Sequence, residues 1–159
     1  MSATTRRPRP GETQGEHYWF MSDREFEDRV QAGDFVEHAE YSGRRYGTLR
    51  SELETRGSAG RPVLLEIEVQ GARQVREALP DTVQVFIAPP SRDALRARLI
   101  GRGTDDPEQV ERRLQTAEGE LAAQDEFTRV VVNDRLEEAS DALEACVRRH
   151  LARPCPQVG

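Results

Sequence analysis

At 159 residues, with 36% hydrophobic and 33% charged side chains, the chain suits one compact folded domain and excludes a disordered polymer. A net charge of −6 speaks against general nucleic-acid binding, and no apolar run approaches the roughly 18–20 residues of a membrane span. The polar N-terminus has no signal-peptide core, so a cytoplasmic protein is expected.

All 23 basic residues are arginine. The absence of lysine rules out a Schiff base or a phosphate-loop ammonium within these residues. Cys146 and Cys155 stand nine apart, which is not a metal-ligand spacing.

The first fifteen residues, with Pro8, Pro10, Gly11 and Gly15, read as extended or turn-like. His17–Met21 is a short strand candidate. Ser22 then caps a helix over SDREFEDRVQAG, with Glu25 at the capping-box position and Gly33 at the end. Phe35–Tyr41 returns to strand-like alternation, followed by a turn at Ser42-Gly43 and the segment RRYGT. A polar helix is expected over Arg50–Gly57. After Pro62, VLLEIEV has apolar residues on both faces, as in a buried parallel strand.

A helix from about Gly71 to Leu79 stops at Pro80, and VQVFIA reads as a second buried strand ending at Pro89-Pro90. Ser91 can cap the helix RDALRARLIGRG. An arginine-rich helix follows over roughly 107–124, then VVVN as a third buried strand, and an amphipathic helix over 136–152 before a frayed tail. Alternating strands and helices from residue 62 onward imply a parallel sheet covered on both faces.

The chemistry concentrates near the start. Arg6, Arg7 and Arg9 around a proline-rich turn can grip phosphate oxygens bidentately, with hydroxyls at Ser2, Thr4 and Thr5; the alternative is a solvated basic turn. Tyr18 and Tyr46 each offer a ring for packing and a phenol for a phosphate or base edge. Glu37 lies between apolar neighbours on a strand, where a carboxylate needs donors such as guanine N1–H and its amine; an exposed edge-strand glutamate is the other reading. Glu66 and Glu68 share one face of the VLLEIEV strand at its C-terminal end, where parallel sheets bind ligands. Arg98, Arg102, Arg112 and Arg113 flank a Gly101/Gly103 hinge, so two helices can close over phosphates or simply form a salt-bridged surface pair with Glu108 and Glu111.

In order and spacing, TTRRPRPGE, GEHYWF, EHAEYSGRRYGT, LLEIEVQGA, IAPPS, GRGT and VVVND resemble guanylate kinase over about residues 2–150. The resemblance implies an α/β fold of the P-loop kinase type: a parallel-sheet core, a small mixed GMP-binding lobe and a helical lid. One domain is expected, with the GMP lobe at about 2–48, core at about 62–100 and 128–152, and lid at about 101–124. It implies transfer of the ATP γ-phosphoryl group to GMP, giving GDP and ADP, with Mg2+ accompanying ATP. Ser2, Arg6, Arg9, Tyr18 and Tyr46 would hold the GMP phosphate, and Glu37 and Thr48 would read guanine. Glu66 would add a base contact. Glu68, commonly Asp in the family, would position phosphates or the magnesium shell. Arg98, Arg102 and Arg113 would be the lid and transfer arginines, and Asn133 would lie near adenine. Partners would be GMP and ATP, without nucleic acid or membrane; the sequence does not set an oligomeric state.

Where the family has an earlier strand and a glycine-rich phosphate loop, about thirty residues upstream, this sequence has neither. The expectation is an N-terminal end lost through a misplaced start or a fragmentary gene, which upstream DNA would test, and impaired phosphotransfer by these residues alone. A non-catalytic GMP-binding remnant and a scaffold-type interaction module are the alternatives.

Overall fold

The computed structural model describes residues 1–41, 43–58, 60–101 and 107–152, which form two compact units, Met1–Thr82 and Val83–Gly159. The expected turn at Ser42, the hinge residues Gly103 and Arg102, and the tail with Cys155 lie outside the described residues.

The first unit holds β1 (Ser2–Thr4), β2 (Trp19–Phe20), α1 (Asp23–Gln31), β3 (Phe35–Tyr41), β4 (Arg44–Leu49), α2 (Arg50–Gly57) and α3 (Val69–Ala78). Its sheet runs in the order β2-β1-β4-β3. β4 is antiparallel to both β1 and β3, and β2 is parallel to β1. α1 forms where capping chemistry places it. Ser22 accepts the Glu25 N–H at 3.1 Å, and Gly33 with φ +74° takes the left-handed conformation that ends the helix. The helix inserts Phe26, which is fully buried and stacks on Phe35 with ring centroids 4.5 Å apart. Ala3 and Leu49 complete this core beneath β1 and β4, with Trp19, Met21 and Val30 packed around it.

The ladder between β3 and β4 carries one irregularity. Phe35 pairs with Leu49, but Glu37 pairs with Thr48, so Val36 is an extra residue in β3. Such a bulge changes the parity of a strand and re-aims the side chain after it.

The second unit holds β5 (Val85–Ala88), α4 (Arg92–Gly101), α5 (Pro107–Ala122), a short 3₁₀ turn (Gln124–Glu126), β6 (Arg129–Val132) and α6 (Leu136–Leu151). β5 and β6 are parallel, as the alternation implied. Ser91 caps α4 by accepting the Ala94 N–H at 3.1 Å. Leu99, Val110 and Leu114 form the buried seam of α4 and α5, with Leu95 against it. Outside that seam, Arg92 pairs with Glu118 at 2.7 Å and Arg96 with Glu111 at 2.6 Å. No described helix is long and apolar enough to cross a membrane.

Two expectations about the sheet need correction. VLLEIEV is not a strand: residues 61–68 join no ladder among the described residues, and Leu64 is 79% exposed. An extended segment becomes a strand only when a neighbour takes its N–H and C=O groups, and hydrophobic composition alone does not supply one. The VVVN strand exists but is buried on one face only: Val131 is 7% exposed, whereas Val132 is 53% exposed and Val130 is also open to solvent. A parallel ladder is buried when helices cover both faces, and a described ladder of two strands leaves apolar surface open.

Candidate functional site

The described geometry gathers the early motifs in the first unit. At one end of its sheet, Glu37 and Thr48 are 4% and 2% exposed, and the Thr48 hydroxyl donates to Glu37 Oε1 at 2.6 Å. The bulge at Val36 creates this pair, because an unbroken register would place Val36 opposite Thr48. Burial pushes the Glu37 carboxyl above its ordinary range, and the bonds from Thr48 offset that only in part. A buried carboxylate with one oxygen on a hydroxyl retains acceptor capacity for adjacent N–H donors of a ligand. Ser2 on β1 pairs with Thr48 on β4, at the same end.

The second focus is Arg6. Its Nη1 and Nη2 donate to Glu12 Oε2 and Oε1 at 2.8 and 2.9 Å, a bidentate fork. The guanidinium lies 5.3 Å from the Tyr18 ring centroid and 5.7 Å from that of Phe20. The bond donated to Glu12 holds the Arg6 pKa above its ordinary value despite opposing burial, and Tyr46 contributes in the same direction. The main chain at Arg6 is fixed as well, since its N–H donates to Thr4 Oγ1 at 3.1 Å and Thr4 Oγ1 donates to the Arg45 carbonyl at 3.0 Å. Arg6, Tyr18 and Tyr46 are thus brought together. Arg9 is exposed, and its contribution is a backbone N–H donated to Glu12 Oε2 at 2.7 Å.

Glu12 is the residue that sequence reasoning missed here. Arg9-Pro10-Gly11-Glu12 has the Pro-Gly signature of a type II turn, with Gly11 at φ +87° and the Glu12 N–H donating to the Arg9 carbonyl at 3.0 Å. That turn brings Glu12 back over Arg6. Arg6 first, and the Arg9 N–H second, hold its carboxyl down to about 2.

The pair Glu66 and Glu68 departs from expectation. Glu66 is exposed and neither residue is on a strand. Glu68 is instead the N-cap of α3, with extended backbone at φ −82° and ψ 168°. Sequence reasoning also missed Gln74 on α3, whose amide holds the main chain of His38 beside Glu37.

In the second unit, Arg98 Nη2 donates to the Asp134 carbonyl at 3.2 Å. Arg113 is partly buried on α5, and Arg102 lies outside the described residues. Asn133 follows β6 directly, its N–H donating to the Ala88 carbonyl at 2.7 Å. Among the described residues no three His, Cys, Asp or Glu side chains cluster so as to hold a metal ion.

Comparison with known proteins gives this arrangement its context. A family model for guanylate kinase matches residues 1–150. The chain is 54% identical over 145 residues to a guanylate kinase of Streptomyces coelicolor, covering 91% of this chain and 74% of that one. It is 52% identical over 145 residues to a guanylate kinase of Prochlorococcus marinus, covering 91% and 77%. Among solved structures, guanylate kinase from Anaplasma phagocytophilum superposes with a TM-score of 0.80 at 34% identity, covering 99% of this chain and 78% of that one. The fold is therefore the P-loop kinase type of the guanylate kinases, and the chain belongs to the guanylate kinase family.

Proposed function

We propose that the first unit is a GMP site and that the reaction it serves is transfer of the ATP γ-phosphoryl group to GMP, yielding GDP and ADP. The observation that carries the reading is the polarity of that unit. A buried carboxylate–hydroxyl pair, Glu37 with Thr48, suits a base edge, and an arginine–tyrosine group, Arg6 with Tyr18 and Tyr46, suits a phosphate. Ser2 and Arg9 complete the phosphate end in this assignment. Glu66 and Glu68 immediately precede α3, and from its N-cap Glu68 would reach toward phosphates. The GMP lobe is then about 2–48, the core about 62–100 and 128–152, and the lid about 101–124, in a cytoplasmic enzyme.

Guanine presents N1–H and its amine side by side, two donors that one carboxylate can accept. Adenine presents a lone pair at N1, which a carboxylate repels. Phosphoryl transfer of this class asks the protein for positioning and charge rather than covalent chemistry. Arg98, Arg102 and Arg113 are assigned the role of supporting charge on the moving phosphoryl group, with Asn133 beside adenine.

The donor side fits less well. The 159 residues contain no lysine, so the ammonium that a phosphate loop places on β- and γ-phosphates is not available within them. Magnesium carried on ATP phosphates needs few protein ligands, and the described residues offer no cage of their own. Residues 1–159 acting alone are therefore expected to bind GMP without appreciable turnover.

Calorimetry with GMP and ATP separately, beside a coupled assay of GDP formation, tests both levels. GMP binding with little ATP binding and negligible turnover is the expected result. Absence of GMP binding would sink the site assignment. Turnover near ~1–100 s⁻¹, ordinary for kinases, would overturn the expected impairment.

A further inference from the structure

Resting on the reading of Glu37 as the base contact, we infer that Gly71 and Gln74 of α3 are positioning residues that fix the Glu37 carboxylate and thereby set the preference for guanine. The two stand three residues apart and so share a helix face. That face lies against β3, which forms an edge of the first unit's sheet.

Gln74 supplies what a neighbouring strand would. The His38 N–H donates to Gln74 Oε1 at 3.0 Å, and Gln74 Nε2 donates to the His38 carbonyl at 2.7 Å. One side-chain amide thus occupies both main-chain groups of the residue next to Glu37. Two bonds to a single residue leave little freedom in the distance between α3 and β3 at this point.

At that distance a side chain at position 71 runs into Glu37. A Cβ on Gly71 would stand 2.5 Å from Glu37 Oε2 and 3.3 Å from its Cδ, whereas the Ile67 Cβ would be at an ordinary 3.5 Å. The obstacle is the carboxylate and not the backbone. A methyl at position 71 would therefore displace the Glu37 carboxylate while Thr48 still holds its other oxygen at 2.6 Å. A shift of about an ångström carries an acceptor out of the 2.7–3.2 Å range of a good hydrogen bond.

The discriminating ligand is IMP, which keeps guanine's N1–H but lacks its amine. The inference assigns N1–H to Oε1, the oxygen that Thr48 holds, and the amine to Oε2, so displacing Oε2 removes the second bond to GMP and leaves IMP with what it had. Equilibrium titration of the full chain with GMP and with IMP tests this, using the unsubstituted protein, Gly71→Ala, Gln74→Ala and Glu37→Gln, with thermal melting of each. The expected result is a preference for GMP that falls about tenfold in Gly71→Ala and falls also in Gln74→Ala. Glu37→Asp provides a control on the contact itself: its shorter side chain withdraws from the added methyl, so Gly71→Ala lowers the melting temperature less in that background.

The outcomes separate the two claims. No GMP preference in the unsubstituted chain, or a preference that survives Glu37→Gln, defeats the base reading and the inference with it. A preference lost in Glu37→Gln but intact in Gly71→Ala and Gln74→Ala defeats the positioning roles alone. Should Gly71→Ala fail to melt cooperatively, Gln74→Ala decides, because an unchanged GMP to IMP ratio there overturns the inference.

Discussion

Arg6 and Glu12 meet fork to fork, two guanidinium nitrogens 2.8 and 2.9 Å from the two carboxylate oxygens, and the same carboxylate takes the Arg9 N–H at 2.7 Å. Glu12 therefore prearranges the Arg6 guanidinium and the main chain at Arg9, both assigned to the phosphate end. Glu12→Gln keeps the volume and removes the charge. GMP affinity should fall roughly fivefold to tenfold through lost preorganisation, while guanosine, which has no phosphate, should bind as before. Calorimetry with both ligands checks it, and tighter GMP binding would mean that Glu12 competes with the phosphate instead.

Glu12 and Glu37 titrate in opposite senses. Glu12 is held down to about 2, so its pairing contributes stability above the ordinary carboxylate value and loses it as pH falls through about 2. Carboxyl shifts followed by NMR should leave Glu12 ionised at pH 4.

Glu37 is raised above 4.5, so its folded-state contribution is complete below that value and is lost as pH rises through its shifted pKa. Glu37→Gln should consequently melt above the parent at pH 7–8, with the gap closing as pH falls toward 4.5. Melting curves across pH decide this, and a parallel offset at every pH would contradict the assignment.

Gly47 sits where a Cβ would stand 2.7 Å from Phe35 Cδ1 and 2.8 Å from the Glu37 carbonyl oxygen. Backbone cannot retreat as a flexible side-chain end can. Gly47→Ala is expected to destabilise by about 1–3 kcal/mol, by the overpacking that extra methyls cause in a filled core. Urea denaturation measures it.

Leu114 is fully buried between α4 and α5. Truncation to alanine should cost about 2–5 kcal/mol, transfer and cavity together. Ser22→Ala, which removes only the cap on α1, should cost about 1 kcal/mol. Comparing the two by chemical denaturation tests whether stability rests on side-chain burial more than on helix ends.

Local structure is legible in the sequence wherever one residue's chemistry decides it. Ser22, Glu25 and Gly33 mark α1, and the limits of β3 and α2 come directly from alternation and polarity. The VLLEIEV segment misleads because composition reports burial potential and says nothing of whether a partner strand stands beside it. Glu37 and Thr48 are legible as candidates through their setting and the family likeness. Their contact is not, since it depends on the extra residue at Val36, and a bulge has no reliable mark in a single sequence. Glu12 has a visible signal in its Pro-Gly turn. Gln74 has none, because an exposed-looking glutamine on a helix gives no hint that its amide will stand in for a strand.

Residues 61–68 have a consequence for handling the protein at high concentration. A stretch rich in Val, Leu and Ile that joins no ladder among the described residues, with Leu64 79% exposed, presents apolar side-chain surface to solvent. Precipitation should thus grow with concentration rather than with time alone. A charge placed at Leu64 would act as a gatekeeper there, improving solubility without touching the residues assigned to the nucleotide.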